Sequence, residues 1–404
     1  MIAPTSFFAD YGCHVRILEE ITSLQNRGHD VALCTYHNGR DLPGIAIHRT
    51  VDIPWRKRAI VGSSKHKMYL DIMLLFTVLR RTLSFKPDII HAHLHEGALI
   101  GSVASALSRR PVVFDYQGSL AEEMIDHGFI PKQGLRQHFM RWLERRIDGF
   151  PSAIIPSSVA AGRYLKAKGT DPRRVRVVAD AVDLDRFNPH AHIASRLVTR
   201  QHLGIPESAP VVVYLGLLAD YQGTTTLIQA ADLLLERRRD AYVVIAGYPG
   251  VGRHARMAEG SAHAARILFP GRIPYDDAPA LLAAADVAVA PKRSVTEANG
   301  KVLNYMAMRL PTVCTDTPVN RDLLGDLGRY VPPDDPVSLA AALGEALEDS
   351  TTVGDALRQR VARGYSWDSR VLDLERIYSD VLHETSPEPV ASGAGNYESA
   401  ASDD

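Results

Sequence analysis

Short apolar runs bounded by turn residues alternate with amphipathic stretches through most of this chain, and that alternation limits the folds open to it. A brief apolar run fits a strand buried on both faces, and such strands need helices to cover them. The pattern therefore specifies βα units around parallel sheets, an α/β architecture. Strands are expected at 31–35, 45–49, 88–92, 111–115, 153–155 and 175–178. A second series is expected at 211–216, 242–247, 266–269, 287–290, 312–315 and 329–331. Between them Asn188 to Glu207 mixes Pro, His and polar residues with one short helical stretch, so the boundary is placed there. A length of 404 residues suits two such units. Parallel sheets bind ligands beyond the carboxyl ends of their strands, which puts a cleft between the two.

The opening Met1-Ile2-Ala3-Pro4 lacks the basic and long apolar parts of a secretory signal and reads as the tail of a strand. Two apolar residues before a proline are fewer than the roughly five or six of an ordinary strand, so a first strand shortened at its start is expected. The longest apolar run, Ile72 to Leu79, stops at Arg80-Arg81, short of the roughly 20 residues of a membrane span. With 46 Lys plus Arg against 47 Asp plus Glu, there is no global electrostatic case for a nucleic-acid partner. Cys13, Cys34 and Cys314 are far apart and odd in number, which argues against a disulfide framework and for the cytoplasm.

Several segments carry candidate chemistry. Gly12-Cys13-His14 opens a helix with apolar positions Val15, Leu18, Ile21 and Leu24, and a glycine there admits an anion or hydroxyl to free amides, or simply makes a tight turn. His91, His93 and His95 fall on alternate positions and would share one face of an extended strand. With no other Cys/His set nearby, a polar role in the cleft is favoured, and no metal is expected. Asp115 and Gln117-Gly118 sit at the carboxyl end of a strand, where Asp115 suits a base, an orienting acceptor or a turn residue. Arg136, Arg141, Arg145 and Arg146 read as a solvated basic face.

The most informative stretch runs from Pro291 through Lys292, Arg293, Glu297, Asn299, Gly300 and Lys301 into a helix bearing Asn304. Free amides at a helix start favour a phosphate, and three basic residues gather around this one. Lys301 and Asn304 form an i, i+3 pair on one face.

These residues resemble the retaining nucleotide-sugar glycosyltransferases of family 4, whose GT-B fold has two facing Rossmann-like domains with a cleft between them. The resemblance covers nearly the whole chain. It rests on Gly12 with the helix ending Arg27-Gly28-His29-Asp30-Val31, on 182–189, on Tyr214-Leu215-Gly216 with Gln222-Gly223, and on Val244-Ile245-Ala246-Gly247. It continues through Phe269-Pro270-Gly271-Arg272-Ile273, 281–291 with Asp286, and Asn304-Tyr305-Met306-Ala307. Departures are as clear. Gln117 stands where many members have a cleft histidine, Leu217 and Gln222 replace two basic residues of the donor loop, and Asn304 replaces the second of two glutamates, with Glu297 seven before it.

The resemblance implies an N-terminal acceptor-side domain over 1–190, a linker over 191–206, a nucleotide-sugar domain over 207–364, and a closing helix over 365–384 that crosses back. Residues 385–404 are expected as a disordered tail. The implied activity moves a hexose-type sugar, with retention, from a nucleotide diphosphate donor to an acceptor hydroxyl, in cell-surface polysaccharide or glycoconjugate synthesis. Alternatives are an epimerase of nucleotide sugars and a sugar-nucleotide-binding protein without turnover. Gln117, Asp115 and Lys301 are the candidate catalytic residues. Gly216, Gln222, Gly247, Ile273, Lys292, Arg293, Glu297, Asn299, Gly300 and Asn304 are the candidate donor contacts. Gly12, Cys13, His14 and His95 face the acceptor, and no cofactor is required. Residues 55–68 hold five Lys or Arg and no acid, which suits peripheral contact with an anionic membrane and a glycan or lipid-linked acceptor.

Overall fold

The computed structural model describes residues 1–52, 67–126, 129–349 and 353–385, so most of the basic stretch 55–68 and all but Thr385 of the expected tail lie outside the described residues. The N-terminal sheet is built from β1 (Ile2–Ala3), β2 (Ala32–Thr35), β3 (Ala46–Arg49), β4 (Ile90–His93), β5 (Val112–Tyr116) and β6 (Ala153–Pro156). The C-terminal sheet uses β7 (Val211–Leu217), β8 (Tyr242–Tyr248), β9 (Ile267–Gly271), β10 (Val287–Ala290), β11 (Thr312–Thr315) and β12 (Arg329–Val331). Every pairing is parallel. The orders are β3-β2-β1-β4-β5-β6 and β12-β11-β10-β7-β8-β9. Both are the doubly wound order, so each has a switch point, at β1/β4 and β7/β10, where a crevice opens beyond the strand ends. GT-B is this pair of sheets.

One expected strand is corrected. Residues 175–178 make a single bridge, Val175 to Ile154, and form no strand. The segment runs beside β6 and then turns, with the Asp180 amide donating to Ser157 O at 2.8 Å, which carries Asp180 to the cleft.

The helix Gly12–Asn26 also departs from its apolar reading. Ile17, Ile21 and Leu24 are buried as expected of an amphipathic helix, but so are His14, Arg16, Glu19 and Glu20, while Val15 and Leu18 are half-buried. Counting apolar positions cannot find buried charges that neutralise one another.

Residues 191–206, expected as a linker, carry the helix Ile193–His202, which is fastened to the C-terminal half. Arg200, 1% exposed, donates through Nε to Ala284 O at 2.9 Å and through Nη1 to Glu207 O and Ala209 O at 2.6 and 2.7 Å. Its Nη2 reaches Asp286 Oδ2 at 2.9 Å. The helix Trp367–Thr385 crosses to the other half, where Leu374, Ile377 and Val381 pack with Val113, Ala153, Ile155 and Val178. Arg27 Nε donates to Glu375 there at 2.6 Å.

The two halves touch across the cleft. Tyr275 OH donates to Glu19 Oε1 at 3.0 Å, the Tyr275 amide to Asp10 Oδ1 at 3.1 Å, and the Ser119 amide to Thr296 Oγ1 at 3.5 Å. Arg272 also pairs with Asp10, and Tyr248 OH donates to Ala9 O.

Arg200→Met should lower the unfolding free energy by about 3 kcal/mol, because it strands buried carbonyls and removes one of the partners of Asp286. Urea denaturation followed by fluorescence measures this.

Candidate active site

Two adjoining cavities of about 190 and 170 Å³ occupy the cleft. Tyr11, Gly12, Arg16, Asp180, Gln222, Lys292 and Gly300 line both, so the wall between them comes from both halves of the chain. Cys13, His95, Gln117 and Glu297 line the first. Gly216, Gly247, Ile273, Asn299, Lys301 and Asn304 line the second.

The second cavity is shaped by its glycines. Gly247 has φ +150, and a Cβ there would lie 1.7 Å from Gly216 O, so β7 and β8 approach as closely as they do only without a side chain. A Cβ at Gly216 would lie 2.6 Å from Lys301 Nζ. The helix Gly300–Ala307 points its N-terminus at the cleft because Val302, Leu303, Tyr305, Met306 and Ala307 bury the opposite side. Its free amides and dipole favour an anion.

Lys301 Nζ donates to Gln222 Oε1 at 2.8 Å and to Tyr214 OH at 3.2 Å, and sits 4.5 Å from the Tyr214 ring centroid. Burial, with Lys292 beside it, pulls this ammonium well below the usual lysine range. Lys292 Nζ reaches Glu297 Oε2 at 2.7 Å and donates to Ala298 O at 2.9 Å. Asn299 is buried, donates to Asn320 Oδ1 at 2.9 Å and keeps its own Oδ1 without a hydrogen bond.

Three expected contacts are corrected. Arg293 lines neither cavity: it pairs with Asp334 at 3.1 Å and donates to Asp220 O at 2.9 Å, on the outer side of its loop. His14 is fully buried behind the cleft, where Nδ1 accepts from the Ala9 amide at 2.8 Å and Nε2 meets Thr5 Oγ1. Burial lowers its pKa to about 3, so it stays neutral. Asp115 also lines neither cavity and has no exposed surface. It accepts from Arg16 Nε at 3.0 Å and, through Oδ2, pairs with His93 Nδ1 and accepts from Gln117 Nε2, both at 2.8 Å. Burial opposes its ionisation, but Arg16 and His93 overcome this and hold the carboxyl below its usual range. Asp115 is a positioning residue.

The three histidines do not share a face. β4 ends at His93, Leu94 takes φ 61, and His95 begins a helix packed edge-on against Phe114 and Tyr116. The four arginines of the helix Leu135–Asp148 are exposed, as a solvated basic face requires. Leu135, Phe139 and Trp142 are exposed beside its four arginines, with the Phe139 and Trp142 rings stacked at 5.8 Å.

Sequence reasoning missed Arg16 and Asp180. Arg16 is 3% exposed and spans Asp115 at 2.9 Å, Asp180 at 2.8 Å, Glu20 at 3.0 Å and Val178 O at 3.1 Å. Its i, i+4 spacing to Glu20 was the available signal, but that spacing also describes an exposed pair.

With this geometry, likeness to known proteins becomes specific. The family description "Glycosyl transferase 4-like domain" matches residues 11–181 and "Glycosyl transferases group 1" matches 209–349. The D-inositol 3-phosphate glycosyltransferase of Salinispora arenicola is 32% identical, over 93% of this chain and 89% of its own length. The phosphatidyl-myo-inositol mannosyltransferase of Mycobacterium tuberculosis is 24% identical, over 97% and 99%. Among solved structures, sucrose-phosphate synthase from Thermosynechococcus elongatus superposes with a TM-score of 0.80 at 17% identity, covering 95% and 98%. HepE of Anabaena, in complex with UDP and glucose, gives 0.73 at 16%, covering 94% and 98%. Fold and cleft together define a GT-B glycosyltransferase. The chain belongs to the family 4 glycosyltransferases.

Lys301→Ala should weaken binding of nucleotide diphosphates by about 1.5 to 3 kcal/mol, the worth of a charged hydrogen bond. Lys292→Ala should cost less and Arg293→Ala almost nothing. Calorimetric titration checks the order, and an Arg293→Ala loss equal to that of Lys301→Ala would contradict the outward placement of Arg293.

Proposed function

We propose that this glycosyltransferase moves a hexose-type sugar from a nucleotide diphosphate donor to an acceptor hydroxyl with retention, in cell-surface polysaccharide or glycoconjugate synthesis. The observation that carries this reading is Lys301, which stands at the cleft end of the helix Gly300–Ala307 with its amine on Gln222. Gln222 and Leu217 lack the basic groups usual in the donor loop, and the Lys301 amine reaches into that space to meet the diphosphate. Lys292 adds a second charge beside it. HepE was solved with UDP, and several relatives are named for inositol-containing substrates, which supports a nucleotide-sugar donor and a hydroxyl acceptor in a glycoconjugate.

In the proposed reaction the acceptor oxygen bonds to the anomeric carbon on the face from which the diphosphate departs. The bond from that carbon to the diphosphate oxygen breaks, and a leaving oxygen takes the acceptor proton. No side chain need act as a strong nucleophile, so glutamine at 117 is compatible with turnover. Gln117 orients the sugar or acceptor while its own amide is held by Asp115. Lys301 and the amides of the helix start stabilise the charge that develops on the diphosphate, an effect worth several kcal/mol in a water-poor site. The donor charge is met by these groups, and the proposed transfer uses no metal.

A thermal-shift panel of nucleotide diphosphates and their sugars should select one donor, which at 100 times its Kd stabilises by about 2.7 kcal/mol. Proton NMR of the product with that donor should show the anomeric configuration of the donor. Inversion would sink the retaining mechanism, interconversion of sugars without acceptor would identify an epimerase, and saturable binding alone would leave a binder.

The proposed site of action is the inner face of an anionic membrane. Among the described residues no helix is long and apolar enough to cross a bilayer. The helix Leu135–Asp148 joins exposed aromatic and aliphatic side chains to four arginines, and each basic group near such a surface contributes about 1 kcal/mol. Co-sedimentation with liposomes should require anionic lipid and fall with salt. Replacing Arg136, Arg141, Arg145 and Arg146 by Ser should release the protein; replacing Arg56, Lys57, Arg58, Lys65 and Lys67 tests the other basic stretch. Sedimentation unchanged in both variants would favour a soluble acceptor.

A further inference from the structure

Beneath the cleft, three buried side-chain atoms face one another without hydrogen bonds. They are Nε2 of His91, Nε2 of His93 and Oε2 of Glu20, whose other oxygen is ion-paired with Arg16. The three residues are between 0 and 3% exposed. Buried polar atoms left unpaired each cost free energy, so three in one place call for a missing partner.

The distances identify its kind. Glu20 Oε2 lies 3.4 Å from His91 Nε2 and 3.9 Å from His93 Nε2. The second separation is too long for a hydrogen bond. The first matches the spacing of two ligands on one tetrahedral zinc ion, about 3.4 Å for bonds of about 2.1 Å, and the second is wider than it.

The far side of each ring is already held. His93 Nδ1 lies 2.8 Å from Asp115 Oδ2, and His91 Nδ1 lies 2.5 Å from Tyr378 OH. A carboxylate or other polar group behind the imidazole is the usual support of a metal-binding histidine, because it fixes the ring and leaves Nε2 for the ion. Glu20 has a support of its own: Arg16 Nη2 stands 3.0 Å from Oε1, which leaves Oε2 toward the histidines.

Charge points the same way. In this cluster Arg16 faces three carboxylates, Glu20, Asp115 and Asp180. One guanidinium is shared by three carboxyl groups, an excess of acid that leaves room for a cation beside Glu20. The other buried histidine–carboxylate group differs here. His95, Glu144 and Asp148 have Lys168 among them, its Nζ 3.0 Å from Glu144 and 2.7 Å from Asp148. A further cavity of about 620 Å³, lined in part by His91 and Tyr378, lies beside the first cluster.

We propose that His91 Nε2, His93 Nε2 and Glu20 Oε2 bind a zinc ion, which fastens the helix Gly12–Asn26 and β4 together and, through Tyr378, secures the closing helix. None of the three lines either cleft cavity, so the ion is structural and the inference does not depend on the transfer reading. The pattern of alternate histidines suggested a metal only weakly in sequence because the third ligand comes from a helix 71 residues before His91.

The full chain, purified without a histidine tag or chelator, should contain about one zinc per molecule by elemental analysis. Removal of the ion with a strong chelator should lower Tm, and added zinc should restore it. Glu20→Gln and His93→Asn should each reduce zinc affinity by about tenfold or more, while His95→Gln should keep it. If the variants do not fold, the wild-type protein still decides the matter. No bound zinc together with no Tm response to zinc after chelator treatment would overturn the site, as would zinc binding by Glu20→Gln equal to wild type; a proton shared by Glu20 and His91 would then account for the cluster.

Discussion

The guanidinium of Arg16 binds the carboxylate at the tip of β5, the carboxylate at Asp180, the Val178 carbonyl one turn of chain earlier, and Glu20 on its own helix. Three buried acid groups depend on this one cation, since removing Arg16 would leave them facing one another in a medium of low dielectric. The consequence reaches the cleft surface. Asp115 holds Gln117, Asp180 meets the start of the helix Gly300–Ala307, and Arg16 itself lies 5.9 Å from the centre of the Trp367 ring. The N-terminal side of the cleft is thus set by an electrostatic knot below it rather than by loop packing.

On the C-terminal side of the cleft the governing constraint is space. β7 and β8 meet at two glycines, Gly216 and Gly247, and the room this makes is where Lys301 projects. An anion entering there meets amides, a lysine made uncomfortable by burial and a second lysine, with little water to compete. The absence of basic residues at 217 and 222 therefore changes the source of positive charge without abolishing it.

These two sides differed in how legible they were. Strands β7, β8, β10, β11 and β12 follow from apolar runs between turn residues, because both sheet faces are buried and the signal is local. Gly216, Gly300 and Lys301 were readable for the same reason: a glycine at a strand end and a lysine at a helix start act where they stand. Arg16, Asp180 and Glu20 were not, because a buried charge is explained only by partners 99 or 164 residues away, as Asp115 and Asp180 are from Arg16. Lys292 and Arg293 show the limit in miniature. They are adjacent in sequence, yet one faces the cleft and the other Asp334, a choice made by the turn of a loop and not by residue type.

The closing helix Trp367–Thr385 has a consequence for the order in which the molecule comes into being. Leu374, Ile377 and Val381 cover apolar side chains of β5 and β6 that the ribosome delivered more than two hundred residues before. The second sheet has all its strands once β12 has emerged, and the helix Pro336–Glu348 packs on it directly afterwards. The first sheet, although synthesised first, keeps the β5 and β6 part of one face uncovered until almost the whole chain is made, so the later half is finished before the earlier one.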